Sequence, residues 1–169
     1  MRDLIILNGT MGVGKTATSR ELQKRLTGCV FLDGDWCWDA HPFVVTEETK
    51  DMVLHNIAYL LNNFLDCSAY KYVLFCWVLH EQAIIDALLS KLKPDSYRLH
   101  LFTLVCPDEA LTARLSADVD AGIRQPDVIA RSLLRQPAYR SLDSHKVDVG
   151  KVSPADAAQY ILEHINKIS

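Results

Sequence analysis

The stretch that decides the fold is LIILNGTMGVGKTATSRELQKRL, residues 4–26. It begins with the apolar run Leu4–Leu7, passes through a glycine-rich segment, and continues from Lys15 with the spacing of an amphipathic helix. The central part, GTMGVGKT at residues 9–16, matches the pattern G-x-x-x-x-G-K-[ST] in full. A strand, this turn and a helix in succession form a structure that binds phosphate groups. The sequence therefore predicts a nucleotide-binding α/β protein.

The residues of this turn have distinct expected roles. Its glycines allow successive N–H groups to converge on one phosphate group, and the following helix adds the positive end of its dipole. Lys15 would reach the outer phosphates, and Thr16 would offer its hydroxyl to Mg²⁺. A tight turn that used glycine for geometry alone would not need this Lys-Thr pair. The predicted nucleotide-binding set is Gly9, Thr10, Met11, Gly12, Val13, Gly14, Lys15, Thr16 and Ala17.

Strand and helix patterns alternate through the rest of the chain. Further strands are predicted at Cys29–Leu32, Tyr72–Leu79, 99–105 and Lys146–Val149, and further helices at Thr46–Leu65, Glu81–Leu92, from Pro107, and from Ser153 to Ile168. Five strands separated by helices require a parallel sheet that is covered on both faces. The segment 117–127 breaks the pattern and is predicted to be mobile. We therefore expect a single α/β domain over residues 1–169.

Composition and charge limit the classes of function that the chain can have. The 169-residue chain is 49% hydrophobic and carries a net charge of −3, which gives no overall attraction to nucleic acid or to an anionic membrane. No apolar run approaches the roughly 18 residues of a membrane span, and the start MRDLIIL is too short for a signal peptide. The 5 cysteines form no C-x-x-C pair, which favours reduced thiols. We expect a cytoplasmic monomer or homodimer whose partner is a small molecule.

A second polar cluster, FLDGDWCWDAHPF, occupies residues 31–43. Asp33 and Asp35 follow the second predicted strand, and ligand-binding groups gather at the carboxyl ends of parallel strands. Both carboxylates are therefore expected to face one crevice around a turn at Gly34, although a solvated pair of turn-forming aspartates has the same pattern. The neighbouring Trp36 and His41 are candidate substrate contacts, and the two tryptophans of this stretch, Trp36 and Trp38, suggest an aromatic wall for an acceptor. A tryptophan that covers the helix at 46–65 is an equal alternative.

These motifs resemble a known family. The opening IILNGTMGVGKT is similar to chloramphenicol phosphotransferase and the tunicamycin-resistance protein, and the D-x-D at 33–35 resembles shikimate kinase. With gluconate kinase, these are small-molecule kinases of the P-loop class. The resemblance implies a three-layer P-loop NTPase fold with the sheet order 2-3-1-4-5, an acceptor-binding segment at about residues 36–66 and a small lid at about residues 117–136.

The same resemblance implies the cofactors and the chemistry. ATP and Mg²⁺ are the expected cofactors, with Lys15 among the catalytic residues. Asp33 would support Mg²⁺ through water, while Asp35 would contact the acceptor hydroxyl and take its proton. Because phosphoryl transfer needs mostly positioning and charge neutralisation, one carboxylate near the acceptor is sufficient chemistry.

Arginines are concentrated in the segment TARLSADVDAGIRQPDVIARSLLRQPAY, which resembles the lid region of these kinases. The resemblance places Arg114 over the adenine, Arg124 on the transferring phosphates, and Arg131 or Arg135 on phosphate or acceptor. If the segment is one helix, offsets of 7 and 4 put the last three on one side. The alternative is an exposed helix face with arginine–aspartate pairs. Near the end, KVDVGKVSPADAAQYI is similar to the strand and turn that border adenine in these kinases, which makes Asp148 and Val149 candidate contacts.

The third predicted strand, in YVLFCWVLHEQ, does not end in the aspartate typical of GTPases and motor ATPases. His80 and Glu81 follow it instead, and they either assist the metal or acceptor or simply begin the next helix. The preferred hypothesis is a kinase of a small hydroxylated metabolite or antibiotic. A nucleotide kinase is a near alternative. A nucleotide-binding resistance, sequestering or sensor protein with little turnover is an alternative from another class.

Overall fold

Strands and helices alternate along the chain, as the sequence predicts. The computed structural model describes residues 1–168. Its strands are β1 (Arg2–Asn8), β2 (Cys29–Asp33), β3 (Tyr72–Trp77), β4 (Tyr97–Val105) and β5 (His145–Asp148). Its helices are α1 (Lys15–Arg25), α2 (Glu47–Asp66), α3 (Gln82–Leu89), α4 (Asp108–Asp120), α5 (Val128–Ser141) and α6 (Pro154–Ile168), with a short 3₁₀ helix at Gly34–Cys37. None of the helices in residues 1–168 has both the length and the apolar character to cross a membrane.

The strands form one parallel sheet in the order β2-β3-β1-β4-β5, which confirms the predicted order. β1 is central and pairs with β3 on one side and β4 on the other. Because parallel strands end at the same edge, the segments that follow β1, β2 and β3 lie side by side there. This edge is where the sequence places its polar clusters.

The two faces of the sheet bury separate hydrophobic clusters. Ile5 and Leu7 belong to a cluster that also contains buried residues of α1, α4 and α6. Leu4 and Ile6 belong to the opposite cluster, which contains buried residues of α2 and α3. The predicted helical cover on both faces is therefore confirmed. It also explains why residues 4–7 of β1 and the whole of β3 are apolar, since both faces of a central strand are buried.

One prediction for the arginine segment is wrong. Arg124 does not share a helix with Arg131 and Arg135, because α4 ends at Asp120 and α5 begins only at Val128. Between them the chain turns through Gly122, whose φ of 72° is the left-handed conformation typical of a helix end. Arg124 lies in this connection and the other two arginines lie on α5. The mobility of residues 117–127 stays a prediction.

Candidate active site

The glycine-rich segment 9–14 connects β1 to α1 in the backbone conformation that its sequence predicts. Gly9, Gly12 and Gly14 have φ values of 145°, 77° and 104°, which other residues rarely adopt. No side chain caps the start of α1, so its first N–H groups stay free for an anion. The Lys15 Nζ donates a hydrogen bond to the Thr10 carbonyl at 2.9 Å, and this bond folds the lysine back over the loop.

The close approach of Gly12 to α4 leads to a stability prediction. A Cβ atom at Gly12 would lie 2.4 Å from Cδ2 of Leu115, which is fully buried. Gly12→Ala therefore combines overpacking with a strained φ, and we expect it to destabilise the fold by about 2–4 kcal/mol. Gly122→Ala is the matched control because its φ is similar but no atom lies within 4 Å of the added Cβ. Thermal unfolding should show a melting point that falls at least twice as far for Gly12→Ala, and equal shifts would contradict the steric argument.

Lys15 has an unusual ionisation equilibrium for a lysine. Burial of the ammonium group lowers the pKa of Lys15 from 10.5 to about 8, and the nearby Asp35 and Asp33 carboxylates oppose part of that shift. Burial acts in this direction because it disfavours the charged form. A negatively charged phosphate near Nζ would favour the ammonium form and restore the charge.

Nucleotide affinity should consequently depend on pH. As the pH rises from 7 to 9, the Lys15 ammonium of the free protein loses its proton, and we expect the Kd for ATP to rise about tenfold. Calorimetric titration across this range measures the effect. In Lys15→Ala the affinity should be lower at every pH but nearly constant over the same range. A wild-type affinity that does not change between pH 7 and 9 would exclude Lys15 as the titrating group.

The two aspartates predicted from the sequence lie beside the phosphate loop. Thr16 Oγ1 donates a hydrogen bond to Asp33 Oδ2 at 2.9 Å. The other oxygen of Asp33 accepts a bond from the Asp35 backbone N–H at 3.1 Å, which caps the 3₁₀ helix. The Asp35 carboxylate in turn accepts a bond from Trp77 Nε1 at 3.1 Å. A chain of hydrogen bonds thus links the start of α1 to the ends of β2 and β3.

These groups line one cavity of about 510 Å³ at the carboxyl edge of the sheet. Its wall is formed by the phosphate loop, by basic side chains, by carboxylates and by the end of β3. The lining residues are Met11, Gly12, Gly14, Lys15, Thr16, Ala17, Asp33, Asp35, Trp77, Val78, Arg114, Ala117, Asp118 and Arg124. Ten of these 14 residues belong to the predicted site.

The donor groups at Thr16 and Asp33 fit Mg²⁺. Both offer oxygen atoms, the ligands that this cation prefers, and the bond between them shows that the two side chains converge. Among residues 1–168 there is no group of three His, Cys, Asp or Glu side chains that would hold a metal ion by itself. Mg²⁺ is typically held by one or two protein oxygens together with substrate phosphates, so two protein oxygens would be sufficient here.

A family model described as an AAA domain matches residues 5–131, about three quarters of the sequence. The chain belongs to the AAA domain family. The matched range of this AAA domain contains the phosphate loop, both aspartates and the connection that carries Arg124. A comparison with curated protein sequences gives no significant match.

Solved structures confirm the fold expected for this AAA domain. The tunicamycin resistance protein of Deinococcus radiodurans has a TM-score of 0.72 at 21% identity, over 98% of this chain and 96% of that one. A gluconokinase from Sinorhizobium meliloti has a TM-score of 0.73 at 17% identity, over 99% and 95%. Shikimate kinase from Acinetobacter baumannii, solved with shikimate, has a TM-score of 0.66 at 22% identity, over 100% and 96%. At these identities the likeness shows a shared fold.

Arg114 connects two cavities of the AAA domain. Its guanidinium donates to the Val13 carbonyl at 3.2 Å and to the Val149 carbonyl at 2.5 Å, so it ties the phosphate loop to the segment after β5. A smaller cavity of about 190 Å³ lies on its other side. That cavity is lined by Val13, Gly14, Thr18, Arg114, Val149, Val152, Ser153, Pro154 and Ala157. Val149 is thus part of a cavity next to the phosphate loop, whereas Asp148 lies outside both cavities and accepts a bond from the Gly150 N–H.

Arg124 lines the large cavity but is paired with an acidic residue. Its Nε donates to Asp118 Oδ2 at 2.9 Å, and both side chains are about one-third exposed. Arg131 pairs in the same way with Asp127 at 3.0 Å. Both contacts are therefore of the kind expected from the alternative to the lid interpretation, in which the arginines of this segment pair with aspartates. Arg124 combines this pairing with a position on the cavity wall.

Six predicted acceptor-binding residues lie outside the cavity. They are Trp36, His41, His80, Glu81, Arg131 and Arg135. Trp36 is 56% exposed and packs on Phe31, with Arg20 over its ring, because the 3₁₀ helix turns it away from Asp35. His80 and Glu81 pair with each other at 3.2 Å beside the start of α3, and His41 lies in the exposed loop before α2. Arg131 and Arg135 point outward from α5. The role of these six residues in acceptor binding stays a prediction.

The sequence reasoning missed Trp77. This residue supplies an aromatic side chain to the cavity wall, a role that was expected of the tryptophans after Asp35. Trp77 falls within the run YVLFCWVL, where its apolar neighbours made it look like another core residue. It is the last residue of β3, and its side chain is exposed to the cavity next to Val78. The available signal was its position, since the carboxyl end of a parallel strand faces the ligand crevice.

Proposed function

We propose that this protein transfers the γ-phosphoryl group of ATP, with Mg²⁺, to a hydroxyl group of a small molecule. The observation that carries the proposal is that Lys15 of the phosphate loop and the Asp35 carboxylate line the same cavity. A nucleotide-binding protein without transfer activity needs the first group but has no use for the second. The gluconokinase and the shikimate kinase with similar folds support this assignment by analogy.

The nucleotide would occupy both cavities. Its phosphates would contact the backbone N–H groups at the start of α1 and the Lys15 ammonium, and its base would occupy the smaller cavity between Arg114 and Val149. Thr16 and Asp33 would hold Mg²⁺, which when bound neutralises charge that develops on the phosphate oxygens. This arrangement directs the γ-phosphate toward the part of the large cavity that contains Asp35.

Asp35 is the proposed general base. The acceptor hydroxyl gives its proton to the Asp35 carboxylate as its oxygen forms a bond to the γ-phosphorus. The bond between that phosphorus and the bridging oxygen of ADP breaks, and ADP leaves with the electron pair. The Asp35 backbone is fixed by Asp33, and its side chain is held by Trp77, so the base is placed before the acceptor arrives.

The charges of the cavity favour certain acceptors. Its basic residues, Lys15, Arg114 and Arg124, belong to the phosphate-binding half or its lid, while the acceptor half contains Asp35 beside Trp77 and Val78. A carboxylate acceptor would meet the like charge of Asp35, while the basic residues of the cavity would be occupied by the phosphates of the nucleotide. We therefore expect neutral or amine-bearing alcohols to be better acceptors than sugar acids of similar size.

The experiment that tests the proposal uses γ-labelled ATP, Mg²⁺ and an acceptor panel. The panel contains neutral sugars, amino sugars, sugar acids, nucleoside monophosphates and hydroxylated antibiotics. Each mixture is analysed under single-turnover conditions for label on the acceptor. Label transfer supports a kinase, and the labelled class identifies the acceptor charge. Transfer to a nucleoside monophosphate would instead indicate a nucleotide kinase. An acceptor that raises the melting point with Mg²⁺ and a non-hydrolysable ATP analogue but is never labelled would indicate a sequestering protein.

A further inference from the structure

We propose that Trp77 is a positioning residue for phosphoryl transfer: its indole N–H holds one oxygen of Asp35 so that the other faces the acceptor hydroxyl. This inference rests on the proposed role of Asp35 as the base. It adds a residue that neither the sequence motifs nor the phosphate loop assign. Three features of the structure carry it, namely the strand register, the hydrogen bond and the contact with Gly34.

The strand register places Trp77 beside the turn Asp33-Gly34-Asp35, which we call the acidic turn. In the parallel pair of β2 and β3, Asp33 is opposite Cys76, so Trp77 lies one residue beyond the end of the pairing. On its other side Trp77 is opposite Asn8, the last residue before the phosphate loop. The indole therefore lies between the two segments that would hold the acceptor and the nucleotide.

The hydrogen bond from Trp77 determines how Asp35 is oriented. Nε1 of Trp77 donates to Asp35 Oδ1 at 3.1 Å. An indole has a single N–H and no acceptor, so it can hold only one of the two carboxylate oxygens. The backbone N–H of the same residue is already held by Asp33 Oδ1. With both ends of Asp35 fixed, Oδ2 remains for the proton of an acceptor hydroxyl.

Gly34 shows that the chain makes room for the indole. A Cβ atom on Gly34 would lie 2.3 Å from Trp77 Cγ and 2.5 Å from Cδ1. Gly34 is buried, and it is not among the glycines with positive φ, so its backbone conformation would accept another residue. The glycine between the two aspartates is therefore required by the ring of Trp77 and not by the turn. The ring and the acidic turn fit each other as one unit.

Trp36, the residue that follows Asp35, provides a matched control for Trp77. It is also an indole next to Asp35 in sequence, but it packs edge-on against Phe31 at 5.4 Å and lies outside the cavity. Trp36→Phe removes an indole N–H of the same kind without touching the acidic turn. Trp77→Phe keeps an aromatic ring against Gly34 and removes the bond to Asp35.

The kinetic test compares these two variants with the best acceptor found for the wild type. Trp77→Phe should lower kcat by about 10–100-fold because the base loses its fixed orientation, with the Kd for ATP changed less than about twofold. Trp36→Phe should keep kcat within about twofold of the wild type. A merely structural role for Trp77 would lower the melting point or weaken ATP binding along with kcat. Equal kcat values for the two variants would overturn the proposal.

A second measurement separates this inference from the proposed function. The chain has 3 tryptophans, so a ¹H–¹⁵N spectrum contains three indole signals, which Trp→Phe variants assign. In Asp35→Asn the Trp77 indole signal should shift, while those of Trp36 and Trp38 stay in place. An unchanged Trp77 signal shows that the bond does not exist and overturns the inference even if the protein is a kinase. If the signal shifts but the wild type labels no acceptor, the proposed function fails, and the positioning role fails with it.

Discussion

Asp35→Asn is expected to lower the rate of phosphoryl transfer by about 10²–10⁴-fold, the usual contribution of a general base. An asparagine has nearly the same shape and keeps an oxygen for the Trp77 indole, but its amide does not take a proton from the acceptor hydroxyl. The substitution leaves Lys15 and Thr16, the proposed nucleotide contacts, unchanged. Quenched-flow measurement of labelled product gives the rate, and calorimetry should give a Kd for ATP within about twofold of the wild type.

Asp39→Asn is the matched control for this prediction. Asp39 lies four residues further along the same segment, is exposed and does not line the cavity. The two substitutions change the net charge equally, so a general electrostatic effect would lower both rates alike. We expect Asp39→Asn to transfer at the wild-type rate. If Asp35→Asn also keeps the wild-type rate, Asp35 is not the base, and positioning with charge neutralisation alone accounts for transfer.

The parts of this site that follow from sequence are those with a local pattern. The loop at residues 9–16 is determined by glycines next to Lys15 and Thr16, and its geometry needs no distant partner. Right-handed crossovers predicted a parallel sheet covered on both faces, while the order of its strands came from the resemblance to P-loop kinases. The position of Asp33 was predictable because a carboxylate at the end of a strand beside the phosphate loop faces the ligand crevice.

The sequence says least about side chains whose direction depends on tertiary contacts. Trp36 and Trp77 both lie near Asp35, and the sequence singled out Trp36, whereas Trp77 is the one that lines the cavity. The direction of Trp36 is set by its packing on Phe31, and that of Trp77 by the register between β2 and β3. Neither contact has a local sequence signal. Arg131 and Arg135 are a similar case, since they lie on α5 after the break that follows α4, and only Arg124 lines the cavity.

Arg124→Ala is the second substitution with a large expected effect. We expect it to reduce the transfer rate by about 10²–10³-fold, since a guanidinium on the transferring phosphates stabilises charge that develops in the transition state. The structure shows Arg124 on the cavity wall, with its Nε bonded to Asp118. For catalysis that bond must be exchanged for one to the phosphates. Binding of ATP should weaken much less than the transfer rate, and rapid-quench kinetics with a separate binding titration measures both.

The strength of the Arg124–Asp118 pair decides whether this exchange is feasible. Both side chains are 32% exposed, and pairs accessible to solvent contribute about 0–1 kcal/mol. A triphosphate carries several charges and should displace a single carboxylate from the guanidinium. Asp118→Asn weakens the pair without removing the arginine, so we expect the transfer rate to change less than about fivefold. If the pair instead held Arg124 in place as a structural contact, Asp118→Asn and Arg124→Ala would lower the melting point equally, and neither would change the rate selectively.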